Sequence, residues 1–127
     1  MPLPNARRHL GEQGEATAAA YLLAQGYTLL ERNWRFHRLG EIDLIARQGE
    51  QVVFVEVRTR HGKTPDSPTE SITLPKQKRL IALAYTYLET HAFTQNTLWR
   101  IDVIALNLDN QGQIIALQHI CNAIEEH

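Results

Sequence analysis

The sequence predicts an α/β fold in which a central mixed sheet is flanked by helices. Three features carry that expectation. Small and apolar residues recur at three- and four-residue spacing over 8–25, and apolar residues do so again over 74–89. Between those segments, three stretches of alternating or apolar β-forming residues are joined by short turns. The third of these stretches is largely apolar on both faces, which marks a central strand covered from both sides. At 127 residues the chain can bury one sizeable core, so a single domain is expected over 1–127, with its core over about 8–120.

The first helix, 8–25, is expected to carry Leu10, Gly14, Ala18, Tyr21, Leu22 and Gln25 on its periodic stripe. Gly26 stands where a left-handed C-cap belongs. The alanines and glycines would let this helix approach a sheet closely. Glu15 has Ala18, Ala19 and Leu22 at i+3, i+4 and i+7, so it faces inward or lies at the edge of the packed face.

Strands are expected over 27–36, 41–47 and 51–58. Arg38-Leu39-Gly40 and Gln48-Gly49-Glu50 turn them into an antiparallel meander. Alternation then puts Glu41, Asp43 and Ile45 on one face of the second strand, with Ile42, Leu44 and Ala46 on the other. In the third, Val52, Phe54, Glu56 and Arg58 oppose Val53, Val55 and Val57. Residues 59–72 read as a loop, with turn formers at Gly62, Pro65, Asp66, Ser67 and Pro68, and connections of this length are often functional.

A second helix is expected over 74–89, with Pro75 in its first turn and Leu80, Ala84 and Leu88 on its inner stripe. Lys76, Lys78 and Arg79 oppose the positive end of its dipole, a conflict that a bound phosphate would relieve. Strands over 98–107 and 113–120 flank the turn Asp109-Asn110-Gln111-Gly112. The chain shows no internal repeat and no low-complexity segment.

Composition narrows the class. A single cysteine, Cys121, excludes an intrachain disulfide and suits a reducing compartment. The segment Met1 to Gly14 has two arginines but no apolar run after them, unlike a secretory signal. No apolar stretch approaches the roughly 20 residues of a membrane span. A cytoplasmic protein with no membrane partner is therefore expected. The net charge of −1 argues against a constitutive, strongly cationic nucleic-acid binder, but residues 32–79 hold ten basic against six acidic side chains. That basic half suits a phosphate-handling surface; clustering on a solvated face is the other reading.

Within that half, Asp43 lies between Ile42 and Leu44, and Glu56 between Val55 and Val57. Burying an ionised carboxylate costs several kcal/mol unless a cation or strong donors compensate. Two such acids on strands of one hairpin suggest a divalent-metal site. A salt-bridge network with Arg58 and Lys76 is the alternative. Asp102, between Ile101 and Val103, is expected to pair with Arg100 or a nearby helix, and Trp34 to pack in the core or an interface. The six histidines show no ligand spacing, so no zinc site is expected. Cys121 reads as an inert buried thiol.

These residues also carry a resemblance. The helix-strand-strand-strand-helix-strand order, with acids on the second and third strands and a cation two residues on, resembles the PD-(D/E)xK nuclease superfamily. Restriction endonucleases and Holliday-junction resolvases belong to it. Over about residues 9–106 the chain more narrowly resembles the YraN-like family of small bacterial proteins, predicted nucleases. The resemblance rests on Gly11-Glu12-Gln13-Gly14-Glu15-Ala16, Arg32-Asn33-Trp34-Arg35, Gly40-Glu41-Ile42-Asp43-Leu44-Ile45, Phe54-Val55-Glu56-Val57-Arg58, Lys76-Gln77 and Arg100-Ile101-Asp102-Val103.

It implies a restriction endonuclease-like αβββαβ core and metal-dependent hydrolysis of DNA phosphodiesters, with branched or single-stranded DNA favoured. The implied metal ligands are Asp43, Glu56, the carbonyl of Val57, and Glu15, holding Mg²⁺ or Mn²⁺. Arg58 stands where the superfamily has lysine; it cannot act as a base, but it can orient water or stabilise transition-state charge. Arg35, Arg38, Arg60, Lys76, Gln77 and Arg79 are the implied nucleic-acid contacts. A homodimer would suit action on two strands. A non-catalytic nucleic-acid-binding module on the same fold, or a protein-interaction scaffold, are the rival readings.

Overall fold

The computed structural model describes residues 6–62 and 67–126, with side chains from residue 11 onward. The place of Leu10 on the helix stripe, and the turn formers Pro65 and Asp66, lie outside the described residues. Helix α1 spans Ala6–Ala24, followed by β1 (Thr28–Phe36), β2 (Gly40–Gln48), β3 (Gln51–His61), α2 (Leu74–Thr90), β4 (Trp99–Leu108) and β5 (Ile114–Ile124). The five strands form one sheet in sequence order. The β1–β2, β2–β3 and β4–β5 pairs are antiparallel, and β3–β4 is parallel because α2 crosses over between them. This is the predicted mixed α/β architecture, consistent with a restriction endonuclease-like core.

Each helix covers one side of the sheet. On the α1 side, Ala18, Ala19 and Leu22 pack on Leu44, Ala46, Val53, Val55, Ile104 and Leu106. On the α2 side, Leu80, Leu83, Ala84, Tyr87 and Leu88 pack on Ile42, Ile45, Val52, Phe54, Ile101 and Val103. Trp34 is half-buried there, edge-on to Tyr87 at 5.2 Å between ring centroids. β3 is the central strand, as its two apolar faces require.

Local signals explain the helix ends. Gly26 takes φ +91°, and the Tyr27 amide reaches back to the Leu22 carbonyl at 3.0 Å, closing α1. Thr73 caps α2 by accepting from the Lys76 amide at 3.3 Å, with Pro75 in the first turn.

Gly14 shows how closely α1 approaches the sheet. A Cβ there would lie 3.1 Å from Thr59 Cγ2 and 3.3 Å from Leu106 Cδ1. Gly14→Val is expected to destabilise the fold by roughly 1–3 kcal/mol through overpacking, read as a lower urea midpoint at unchanged m-value. An unchanged midpoint would show that α1 moves freely on the sheet.

Two expectations need correction. Residues 59–61 are not loop. β3 continues to His61 because β4 offers it parallel partners, Arg60↔Asn107 and His61↔Leu108, so polar side chains did not end the strand. The connection also contains a short 3₁₀ turn, Thr69–Ser71. The second correction falls on β2. Ile42 does not share a face with Leu44 and Ala46: it packs on the α2 side with Ile45, while Leu44 and Ala46 pack on the α1 side. The strand changes sides at Asp43.

Candidate functional site

The change of side at Asp43 has a backbone cause. Across β1–β2 the paired residues are Arg32↔Leu44 and Trp34↔Ile42, and the step between them places Asn33 beside Asp43. Asn33 takes φ +53°, a left-handed conformation that asparagine tolerates better than most residues. On the other edge of β2, the pairing with β3 ends at Leu44↔Val55. Asp43 thus lies just past the last β2–β3 pair, where the two strands part, opposite an Asn33 held in a left-handed conformation.

Its carboxylate fills the gap. Asp43 Oδ2 accepts the Val57 amide at 2.8 Å, replacing a ladder bond that the strand partner no longer supplies. Glu56 meets it from the α2 side and shares a hydrogen bond with it. From the other side, Glu15 of α1 and Glu41 of β2 each bring a carboxylate oxygen close, so that oxygens of Glu15, Glu41 and Asp43 lie within 4.8 Å of one another. Three acids therefore converge on one spot, and Glu56 adjoins them through Asp43. Glu15 lies half-buried at the edge of α1's packed face, and Asn33 hydrogen-bonds it. Glu41, exposed and next to Glu15, was the acid that sequence reasoning did not assign. Its signal was legible, since alternation put it on the face of Asp43. A cleft of about 410 Å³ opens over Glu15, Asn33 and Glu41.

The crowding has an electrostatic consequence. Burial, then the hydrogen bond and negative charge of Glu56, and finally the charge of Glu15 push Asp43 up to about 8, against the lowering effect of the Val57 amide. Burial also raises Glu15, with Glu41 adding to it and Asn33 opposing it. Near neutral pH the cluster cannot hold its full negative charge without a cation.

One cation is already present. Lys76, on the first turn of α2, reaches Glu56 Oε2 at 2.8 Å. This ion pair compensates part of the cost of burying the Glu56 carboxylate. Arg58 points elsewhere: its Nη2 donates to Ser71 Oγ and Ser71 O at 3.3 and 3.4 Å, tethering the segment before α2. Position two after Glu56 predicted a shared face, and the side chain spends that position on the connection. Gln77 is similarly engaged, its amide donating to the Ile72 carbonyl at 2.9 Å.

The remaining basic residues surround α2's start and the β1–β2 turn. Arg35 and Arg38 are exposed. Arg79's side-chain stem lies where a Gly40 Cβ would meet it at 3.2 Å, and Gly40 itself takes φ +133°. The glycine therefore lets the β1–β2 turn dock on α2 beside the Arg79 stem. Arg60 is half-buried on β3 beside Asn107 of β4.

Asp102 is fully buried and pairs with Arg100 Nε at 2.9 Å, as expected, and also with His119 Nε2 at 2.8 Å. Cys121, expected to be buried, is exposed, with its sulfur 3.7 Å from His119 Nε2. Among the described residues, no helix is long and apolar enough to cross a membrane.

A family model described as "Uncharacterised protein family UPF0102" matches residues 14–106. The chain is similar to a UPF0102 protein of Chloroflexus aurantiacus, 54% identical over 124 residues that cover 98% of this chain and 99% of that protein. A UPF0102 protein of Roseiflexus castenholzii is 47% identical over 120 residues, covering 94% and 96%. One of Moorella thermoacetica is 45% identical over 117 residues, covering 92% and 96%.

Proposed function

This chain belongs to the uncharacterised protein family UPF0102, and from that premise we propose that it is a metal-dependent endonuclease hydrolysing DNA phosphodiesters. One observation carries the reading: carboxylates of Glu15, Glu41 and Asp43 converge where β2 leaves β3, and Glu56, which carries a lysine, adjoins them through Asp43. The donor set fits a hard divalent cation. It is all oxygen, and its central acid is pushed up to about 8 by burial and by its acidic neighbours.

Asp43 and Glu56 would hold Mg²⁺ or Mn²⁺, with the Val57 carbonyl and Glu15 completing the protein ligands and Glu41 beside them. Such an ion supplies Lewis-acid polarisation of the phosphate and lowers the pKa of an attacking water. Lys76, set on Glu56, is the cation placed to stabilise charge building on the phosphate oxygens. Arg58 acts through Ser71, keeping the start of α2 in position. Arg35, Arg38 and Arg79 offer charges that would bind flanking phosphates, and the Gln77 carbonyl oxygen can orient a donor. Branched or single-stranded DNA is the preferred substrate, because the described residues form one sheet with its two helices and no added recognition domain.

A second reading, a nucleic-acid-binding module without turnover, is favoured by the Lys76–Glu56 pair, which partly neutralises the site by itself. Cleavage of duplex, single-stranded and four-way-junction DNA with Mg²⁺ or Mn²⁺ separates the two. The endonuclease reading expects metal-dependent cleavage that vanishes in Asp43→Ala/Glu56→Ala, with Mn²⁺ raising Tm of the parent chain only. Salt-sensitive binding with no cleavage would favour the second reading. Cleavage unaltered in the double variant would remove the site from the reaction.

A further inference from the structure

On the opposite edge of β3, β4 carries a second irregularity. β5 pairs with β4 at Ile101↔Ile124 and at Val103↔Ile120, so three residues of β5, Cys121 to Ala123, face the single step at Asp102. Asn122 takes φ +52° within this bulge. The extra chain folds around the Asp102 carboxylate. The Asn122 amide donates to Oδ1 at 2.9 Å, and His119 and Cys121 gather at Oδ2.

The result is a mixed donor set. Asp102 Oδ2 lies 2.8 Å from His119 Nε2, and Cys121 Sγ lies 3.7 Å from that same nitrogen. The three ligand atoms are within 4.8 Å of one another. With Zn–O and Zn–N bonds near 2.0–2.1 Å and Zn–S near 2.3 Å, tetrahedral angles put ligand atoms roughly 3.3–3.6 Å apart. The O–N and N–S separations bracket that spacing, so small side-chain rotations close the set.

The surroundings already orient these ligands. Arg100 holds Asp102 Oδ1 while it is itself fixed by Gln51 at 2.6 Å and Tyr27 at 2.8 Å. That leaves Oδ2 as the oxygen turned toward His119. Tyr21 Oη lies 3.0 Å from His119 Nδ1 and aims Nε2 at the cluster, the usual arrangement behind a metal-binding imidazole. Cys121 and Asn122 line an open cleft of about 350 Å³, so ion and water can enter.

We propose that Asp102, His119 and Cys121 form a second metal site, for a borderline-soft divalent ion such as Zn²⁺, with water as fourth ligand. It differs in donor chemistry from the all-oxygen carboxylate cluster, and it does not depend on that cluster's function. Binding releases the thiol proton to solvent, and the imidazole proton moves from Nε2 to Nδ1, where the Tyr21 oxygen accepts it.

Co²⁺ is the probe, since a thiolate-to-cobalt charge-transfer band can come only from Cys121, the single cysteine. Titration of the full chain is expected to give this band at one ion per chain, with Zn²⁺ abolishing it by displacement. Cys121→Ser, an exposed position that leaves the fold intact by circular dichroism, should remove the band. His119→Ala should remove or strongly weaken it. Tyr21→Phe should keep the band's position and weaken affinity about 10–100-fold. The Asp43→Ala/Glu56→Ala variant should bind Co²⁺ at this site as the parent does. No band, a band indifferent to His119→Ala, or half an ion per chain (which would mean thiolates shared between copies) would overturn the proposal.

Discussion

Lys76→Met is expected to lower metal-dependent DNA cleavage by about a hundredfold or more, the scale of losing one preorganised charge-stabilising donor. Arg58→Ala is expected to lower it by about tenfold or less, the scale of one ordinary hydrogen bond. The reason is placement. Lys76 Nζ stands 2.8 Å from a Glu56 oxygen whose side chain is only 6% exposed, whereas Arg58 reaches an exposed contact with Ser71 at 3.3 Å. Methionine keeps the lysine stem's length and apolar packing while deleting the charge. Single-turnover cleavage at saturating Mn²⁺ isolates the chemical step. Lys76→Met cutting within threefold of the parent chain, or Arg58→Ala suffering the larger loss, would return the role to the strand position. Either variant should still bind DNA with reduced salt dependence if its charge also touches phosphate.

Asp43→Asn should make the metal-free protein more stable at pH 8 while abolishing cleavage. In the folded chain burial and the neighbouring Glu56 push Asp43 from an ordinary 3.8 up to about 8. Between those values the native state keeps a proton that the unfolded chain releases. Stability from this group is therefore full below about pH 4, falls as pH rises, and levels off above pH 8. Asparagine retains an oxygen for the Val57 amide and never ionises, so its stability profile should lack that decline. At pH 8, in EDTA, the variant should exceed the parent by at least about 1.4 kcal/mol, the value of one pKa unit. Mn²⁺ should reverse the order, because only the parent offers the ion a second charged ligand beside Glu56. Parallel pH profiles for the two proteins would mean that Asp43 is not strained by its neighbours. A variant no longer responsive to pH yet still cleaving would deny it the ligand role.

Much of this was legible in the chain. The spacing of Gly14, Ala18 and Leu22, and of Leu80, Ala84 and Leu88, gave both packed helix faces. Gly26 and Pro75 marked a helix end and a helix start. Acids between apolar neighbours pointed at Asp43, Glu56 and Asp102. Strict alternation failed at Ile42, because it presumes regular extended backbone and Asn33, opposite Asp43, is left-handed. It also underused Glu41, whose importance depends on α1 bringing Glu15 alongside. Cys121 and His119 showed no ligand spacing because a bulge, not a repeat, brings them to Asp102.

The two buried aspartates summarise the division. Each sits where strand pairing is interrupted, each has a positive-φ asparagine close by (Asn33 or Asn122), and each accepts a backbone amide, from Val57 or Asn122. Sequence alone determined the elements, their order and the presence of costly buried charge, because periodicity and desolvation act locally. Only the tertiary structure decided which partners answer that charge: Lys76 from a helix twenty residues beyond Glu56, and Arg100 with His119 across two strands. Coulomb energy and hydrogen-bond geometry depend on distance through space, and the packing of α2 and the bulge in β5 set those distances.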